Sequence, residues 1–205
     1  MIDSLHWLGH DTFRIDGPPV VYVDPYKLPP EVVAADLILI THDHFDHLSQ
    51  EDLARVRTEA TIVVGPPEVA EKLPGVRVLR AGESCEVAGV RIRAVPAYNT
   101  NKKFHPRETG KVGFLFTVTG TTYYHAGDTD LIPEMDGLAP DVALLPVSGT
   151  YVMTAHEAAQ AARRIRPKAA VPMHHGTIVG SDDDALTFAR ELEGSGIEVV
   201  IKPRE

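Results

Sequence analysis

Residues 36–47 read DLILITHDHFDH, and no other stretch of the chain restricts its fold so tightly. Residues 36–41 carry a continuous apolar run of strand length, the pattern of a strand covered on both faces. That run delivers His42, Asp43, His44, Phe45, Asp46 and His47, three imidazoles and two carboxylates within six residues. Ser49, with Asp52 three residues on, then forms a capping-box-like helix start whose inward positions include Leu53 and Val56. The cluster is therefore pinned between a core strand and a helix. A polar surface turn is the plainer alternative, but surface turns seldom stack histidines, and buried imidazoles without partners each cost desolvation energy.

In extended backbone, side chains two residues apart share a face, so His42 and His44 converge on one point. Asp46 and His47, past a bend, aim at a neighbouring one, and one loop could serve two metal ions. Imidazole and carboxylate without thiolate suit Zn²⁺ best, with Mn²⁺ or Fe²⁺ as alternatives because selectivity follows geometry and supply. Two cations roughly 3.5 to 4 Å apart lower the pKa of a bound water to about 7, so such a site needs no serine or cysteine nucleophile.

The rest of the chain alternates short strands with helices. Strands are expected over residues 5–8, 12–15, 20–23, 61–64, 76–79, 85–87, 90–95, 112–118, 121–125, 141–147, 169–172 and 197–201. Ala88-Gly89 and Thr119-Gly120 read as hairpin turns. Helices are expected over residues 66–73, from Thr154 to about Ile165, and after Ser181. The first half and the second half are each strand-rich and each closed by βα units. The fold class predicted is α/β, a four-layer αββα sandwich of two mixed sheets flanked by helices, with residues 1–205 as a single domain. A doubly wound parallel sheet fits the hairpins poorly, and no phosphate-cradling glycine loop follows any strand.

His42-x-His44-x-Asp46-His47 after an apolar strand, Gly127-Asp128-Thr129 after Tyr123-Tyr124, and Met173-His174 after Val171-Pro172 resemble the metallo-β-lactamase superfamily in order and spacing. The segments Leu8-Gly9-His10-Asp11-Thr12-Phe13 and Leu145-Pro146-Val147 look like a subgroup of metal-dependent hydrolases related to L-ascorbate-6-phosphate lactonase. The resemblance implies that His42 and His44 bind a first metal, that Asp46, His47 and His174 bind a second, and that Asp128 bridges them. It further implies two ions per chain with a hydroxide held between them, and Asp46 as the catalytic carboxylate that orients it.

One position departs from that pattern. The superfamily usually supplies a third histidine to the first metal at the end of a central strand, where this chain reads Val95-Pro96-Ala97-Tyr98-Asn99. An amide oxygen is a weaker zinc ligand than imidazole, so Asn99 is a poor substitute. His105, six residues on, either reaches in from the loop, contacts substrate or is solvated. His10, after a glycine turn, is a candidate for supporting the site or touching substrate, with a capping or core role as the alternative. His125 is read chiefly as packing, His6 and His156 as without function, and His174 is preferred to its neighbour His175 on the family match. Asp182, Asp183 and Asp184 belong to the first turn of a helix, where carboxylates meet its dipole.

The segment 98–111 holds Lys102, Lys103, Arg107 and Lys111 against Glu108 alone, within a chain of net charge −9. Positive charge beside a metal site would capture an anionic small molecule, unless these lysines are merely solvated. The overall negative charge disfavours a nucleic-acid or membrane-surface protein. Cys85 is the only cysteine, which excludes an intramolecular disulfide and suits a cytoplasmic protein, and neither a signal peptide nor a bilayer-length apolar run is present. The expected function is metal-dependent hydrolysis of a small anionic ester, lactone or phosphodiester. An RNA or DNA phosphodiesterase, or a metal- or ligand-binding protein without turnover, are the alternatives.

Overall fold

In the computed structural model, which describes residues 2–205, two mixed sheets divide the strands at residue 80. The first sheet pairs β1 (Leu5–Gly9), β2 (Thr12–Ile15), β3 (Val21–Val23), β4 (Leu37–Leu39), β5 (Ile62–Gly65) and β6 (Arg77–Val78) in chain order. Its first three strands are antiparallel, and β3 to β6 run parallel. The second sheet is built from β7 (Ser84–Val87), β8 (Val90–Pro96), β9 (Val112–Val118), β10 (Thr121–His125), β11 (Val142–Pro146), β12 (Ala169–Met173) and β13 (Glu198–Val199), again in chain order across the sheet. Here β7 to β10 are antiparallel and β10 to β13 parallel.

Alternation along β4 shows how the layers form. Leu37 and Leu39 join a core that also holds Ile92, Phe114 and Phe116 of the second sheet. Ile38, pointing the other way, joins Leu53 and Val56 of α1 (Gln50–Val56) and Val69 of α2 (Pro67–Lys72). α3 (Ala155–Ile165) and α4 (Asp182–Glu191) pack on each other and on β11 and β12 of the second sheet. The buried stripe of α3 is Ala158, Ala162 and Ile165, small residues that let the helix sit close to β11. The αββα layering follows from these contacts. Among the described residues, no helix is long and apolar enough to cross a membrane.

The expected elements are present, with shifted ends. Of residues 36–41 only Leu37–Leu39 is strand. Asp36 Oδ2 accepts the Val20 amide at 2.8 Å, and the Thr41 amide goes to Asp24 Oδ1 at 2.8 Å. The last strand shrinks from residues 197–201 to Glu198–Val199. Ser49 caps α1, accepting the Asp52 amide, and Thr154 with Glu157 forms a reciprocal capping box on α3. Both hairpin turns have two successive positive φ values, Ala88 and Gly89 at 49° and 75°, Thr119 and Gly120 at 48° and 83°. That backbone matches the right-handed twist of the strands it joins.

Strand direction decides where chemistry gathers. β1, β3 and β4 point one way in the first sheet, and β8, β10, β11 and β12 share a direction in the second. The segments past their C-terminal ends are tied together by the His174 amide on the His10 carbonyl at 3.1 Å, the Val112 amide on Thr41 at 3.2 Å and the Asp130 amide on Tyr98 at 3.0 Å.

Candidate metal centre

Each strand that ends at this edge hands over polar side chains, β4 the most. β1 leads into His10 and Asp11, β3 into Asp24, β4 into the segment from His42 to His47, β8 into the loop reaching His105, β10 into Asp128, β11 into Ser148 and β12 into His174. Gly127 makes the approach of Asp128 possible. Its φ is +64°, and a Cβ there would lie 3.0 Å from the Val112 carbonyl and 3.2 Å from the Thr41 side chain. His125 clamps the same turn, with Nε2 2.9 Å from the Asp11 carbonyl and the Gly127 amide donating to its Nδ1 at 3.2 Å.

Asp128 stands at the middle. Its Oδ2 lies 3.3 Å from His105 Nε2 and 3.4 Å from His174 Nε2, and its Oδ1 lies 3.4 Å from His47 Nε2. Side-chain donors come within ligand spacing of one another in overlapping groups: His42, His44 and His105; His42, His47 and Asp128; His10, His47 and His174; Asp11, Asp128 and His174. Asp46 borders the last histidines, with Oδ2 3.2 Å from His10 Nε2 and 4.0 Å from His47 Nε2.

The imidazoles are oriented from behind. His47 Nδ1 bonds Asp24 Oδ2 at 2.8 Å, His42 Nδ1 lies 2.9 Å from the Thr41 hydroxyl, and His174 Nδ1 lies 2.8 Å from the Ser148 hydroxyl. The Thr41 hydroxyl donates in turn to Asp24 Oδ2 at 2.6 Å. With Nδ1 as the donor in each ring, the Nε2 lone pairs face inward. The inward atoms His47 Nε2, His105 Nε2, His174 Nε2 and Asp128 Oδ1 are buried and have no hydrogen-bond partner. Orphaned atoms of this kind around one carboxylate are costly in a bare protein and are what cations would satisfy.

Electrostatics separate these groups. Burial pushes His10 and His105 down to about 4 and lowers His42 and His44. Burial acts the same way on His174, but Asp128 and Asp11 outweigh it and raise that imidazole to about 9. His47 is likewise held well above its usual value, against burial, by Asp128 and Asp24. Asp128, although burial opposes it, is held well below the carboxylate range by His174 and His47. Asp46 is lowered, against burial, by its bond from His10 and by His47. Asp128 and the imidazoles of His47 and His174 thus each favour the charged form of the other when no cation lies between them.

Measured against the sequence expectations, His42, His44, His47, His105, His174 and Asp128 come together, and His10 joins them. Asn99 does not. Its Oδ1 accepts the His105 amide at 3.0 Å and its Nδ2 donates to the Tyr151 carbonyl at 2.9 Å, so both amide atoms are spent on folding the loop that brings His105 in. The positively charged segment 98–111 is also less free than its composition implies. Lys102 pairs with Asp130 at 2.5 Å, Arg107 with Glu134 at 2.7 Å, and buried Lys111 with Glu68 at 2.9 Å and Asp43 at 3.2 Å. His175 turns away from its neighbour because His174 has a φ of 59°, and it stacks on Trp7 at 4.9 Å. Asp24, Thr41 and Ser148 were not assignable from sequence as supports. The available signal was a carboxylate or hydroxyl immediately following a buried strand.

Residues 4–174 match the family model of the beta-lactamase superfamily domain. A UPF0173 metal-dependent hydrolase of Methanopyrus kandleri is 34% identical across 97% of this chain and 96% of its own length. Another from Thermococcus onnurineus is also 34% identical, across 98% of this chain and 97% of its own. Among solved structures, one from Parabacteroides distasonis that carries a metal-dependent hydrolase name superposes with a TM-score of 0.88 at 34% identity, covering 97% of this chain and 91% of that one. Igni18, a metallo hydrolase from the hyperthermophilic archaeon Ignicoccus hospitalis, superposes with a TM-score of 0.80 at 26% identity, covering 98% and 95%.

Proposed function

This chain belongs to the metallo-β-lactamase superfamily and, within it, to the UPF0173 metal-dependent hydrolases, and from that premise we propose that it hydrolyses a small-molecule ester, lactone or phosphodiester at a two-metal centre. The observation that carries this reading is the gathering of His47, His105 and His174 Nε2 within 3.4 Å of the Asp128 carboxylate, all three nitrogens buried and without hydrogen-bond partners. His42, His44 and His105 would hold one ion, and His47, His174, Asp46 and His10 the other, with Asp128 shared between them. Zn²⁺ suits these nitrogen and oxygen donors best. When bound, the ions supply Lewis acidity toward the attacked carbonyl or phosphoryl oxygen and bring the pKa of water near neutrality.

The chain's own residues do the rest. Asp24, Thr41 and Ser148 hold the imidazoles of His47, His42 and His174 in one tautomer, so no reorientation is needed during turnover. Asp46, ionised and lining the open cavity, accepts a hydrogen bond from the attacking water and aims its oxygen at the substrate. That oxygen adds to carbon or phosphorus while a proton passes to Asp46, which returns it to the leaving oxygen as the bond to it breaks. The lactonase likeness of residues 8–13 and 145–147 keeps lactones among the first substrates to try.

The test is metal removal and return. Purified protein should hold two equivalents of metal, lose turnover of a phosphodiester, thioester or lactone on chelation, and regain it with Zn²⁺ or Mn²⁺. Undiminished turnover by metal-stripped protein would overturn the reading.

A further inference from the structure

We propose that the substrate is uncharged away from its scissile bond and carries there an apolar or aryl group, seated between Phe45, Phe104, Tyr151 and Ile178. This rests on the metal-hydrolase reading above and specifies what that centre takes. A cavity of about 490 Å³ opens over His44, His105, Asp46 and Asp128. Its lining includes Phe45, Phe104, Tyr151 and Ile178, and three of them are unusually exposed for their type: Phe45 at 69%, Phe104 at 51% and Ile178 at 38%. Exposed apolar surface gathered in a concavity marks a ligand site more often than scattered exposure does.

These rings are not free to be elsewhere. Phe45 lies between His44 and Asp46, and Phe104 directly precedes His105, so the backbone that aims the polar donors also aims the phenyl groups. Phe104 meets Tyr151 edge-on at 4.6 Å between centroids, and the Tyr151 carbonyl is held by Asn99. Phe45 stands edge-on to Tyr26 at 6.0 Å. A substrate group placed among them removes their faces from water, which is favourable in proportion to the area covered.

Charge excludes the alternative. Lys72 is the one cation lining the cavity among the described residues, and it is paired with Asp43 at 2.5 Å. Lys111 lies behind Asp43, bound to it and to Glu68, and Lys102 and Arg107 are bound to Asp130 and Glu134. Lys103 is exposed and does not line the cavity. A phosphate or carboxylate remote from the metals would therefore lose water among phenyl rings with no free cation to receive it. For an ester of the proposed kind, the acyl carbon–oxygen bond breaks, water supplies the new acyl oxygen, and the alcohol leaves with a proton.

Two hydroxamates of equal length, one ending in phenyl and one in carboxylate, test this by calorimetry on the zinc-loaded protein, since the hydroxamate end grips metal and the tail reports the cavity. The phenyl-tailed compound should bind about tenfold tighter or better. Phe104→Ala should bring the ratio to within about threefold with metal content unchanged, and Phe104→Leu should restore part of it. Equal or tighter binding of the carboxylate-tailed compound overturns the proposal, as does a ratio that Phe104→Ala leaves intact. Protein that takes up no zinc overturns the metal reading itself and the inference with it, and the metal assay tells that failure from the others.

Discussion

His47 donates its Nδ1 hydrogen to Asp24 at 2.8 Å with both side chains wholly buried, and the same carboxylate oxygen also accepts the Thr41 hydroxyl that backs His42. One carboxylate at the end of β3 therefore orients imidazoles on both sides of Asp128. Asp24→Asn keeps the shape but puts an amide where two donors need an acceptor. Zinc affinity should fall about 10- to 100-fold, read by competition with a chromogenic chelator. Wild-type affinity would show that the pair merely packs.

Asp128 and His105 separate the two halves of the centre. Asp128 touches His47, His105 and His174, whereas among the histidines His105 comes within ligand spacing of His42 and His44 together, not of His47 and His174. Asp128→Ala should lower zinc content from two equivalents to well under one, and His105→Ala should remove one equivalent and leave the other. Elemental analysis after desalting decides between this and a single shared site.

Metal-free protein should lose stability as pH rises. His174 is held at about 9 when folded, above its ordinary value of 6.5, and His47 is raised in the same direction. A raised histidine contributes stability that is fully present below its unfolded value and is lost as pH climbs through its folded value. The melting temperature of stripped protein should therefore decline by several degrees between about pH 6.5 and 9. Zinc takes the place of those protons, so zinc affinity should increase over the same interval. A flat melting profile in stripped protein would contradict the assignment.

Asn99→Ala leaves the His105 amide and the Tyr151 carbonyl without the partners that shape the loop. The loss is about 1 to 3 kcal/mol, local to this segment. Retention of the ion held by His105 should weaken, while the content associated with His47 and His174 stays. Unchanged retention would make Asn99 a bystander.

Asp46→Ala should abolish turnover by about 100-fold or more while circular dichroism and melting stay close to wild type. Asp46 is only partly buried, so little packing is lost with it. Retained turnover would remove it from the proton-transfer role.

The layered fold was legible because β4 repeats apolar residues on both faces and because the hairpin dipeptides and helix caps are local signals. Element ends were less so. Thr41 looks strand-like by neighbourhood, yet its amide and hydroxyl are claimed by the Asp24 carboxylate, a partner far away in sequence. The segment 98–111 misled in the same way. Lys102, Arg107 and Lys111 read as free charge, and their partners, Asp43, Glu68, Asp130 and Glu134, lie on other elements.

What the linear order of residues determined was the inventory: a six-residue histidine and aspartate run after a buried strand, with Asp128 and His174 each delivered by a later strand end. Only the tertiary structure decided that His105 rather than Asn99 enters the centre, that Asp24 backs two imidazoles, and that Lys102, Arg107 and Lys111 are paired with carboxylates. The reason is physical. Donor type is a property of the residue, whereas orientation, tautomer and residual charge depend on which distant groups share its few ångströms of space.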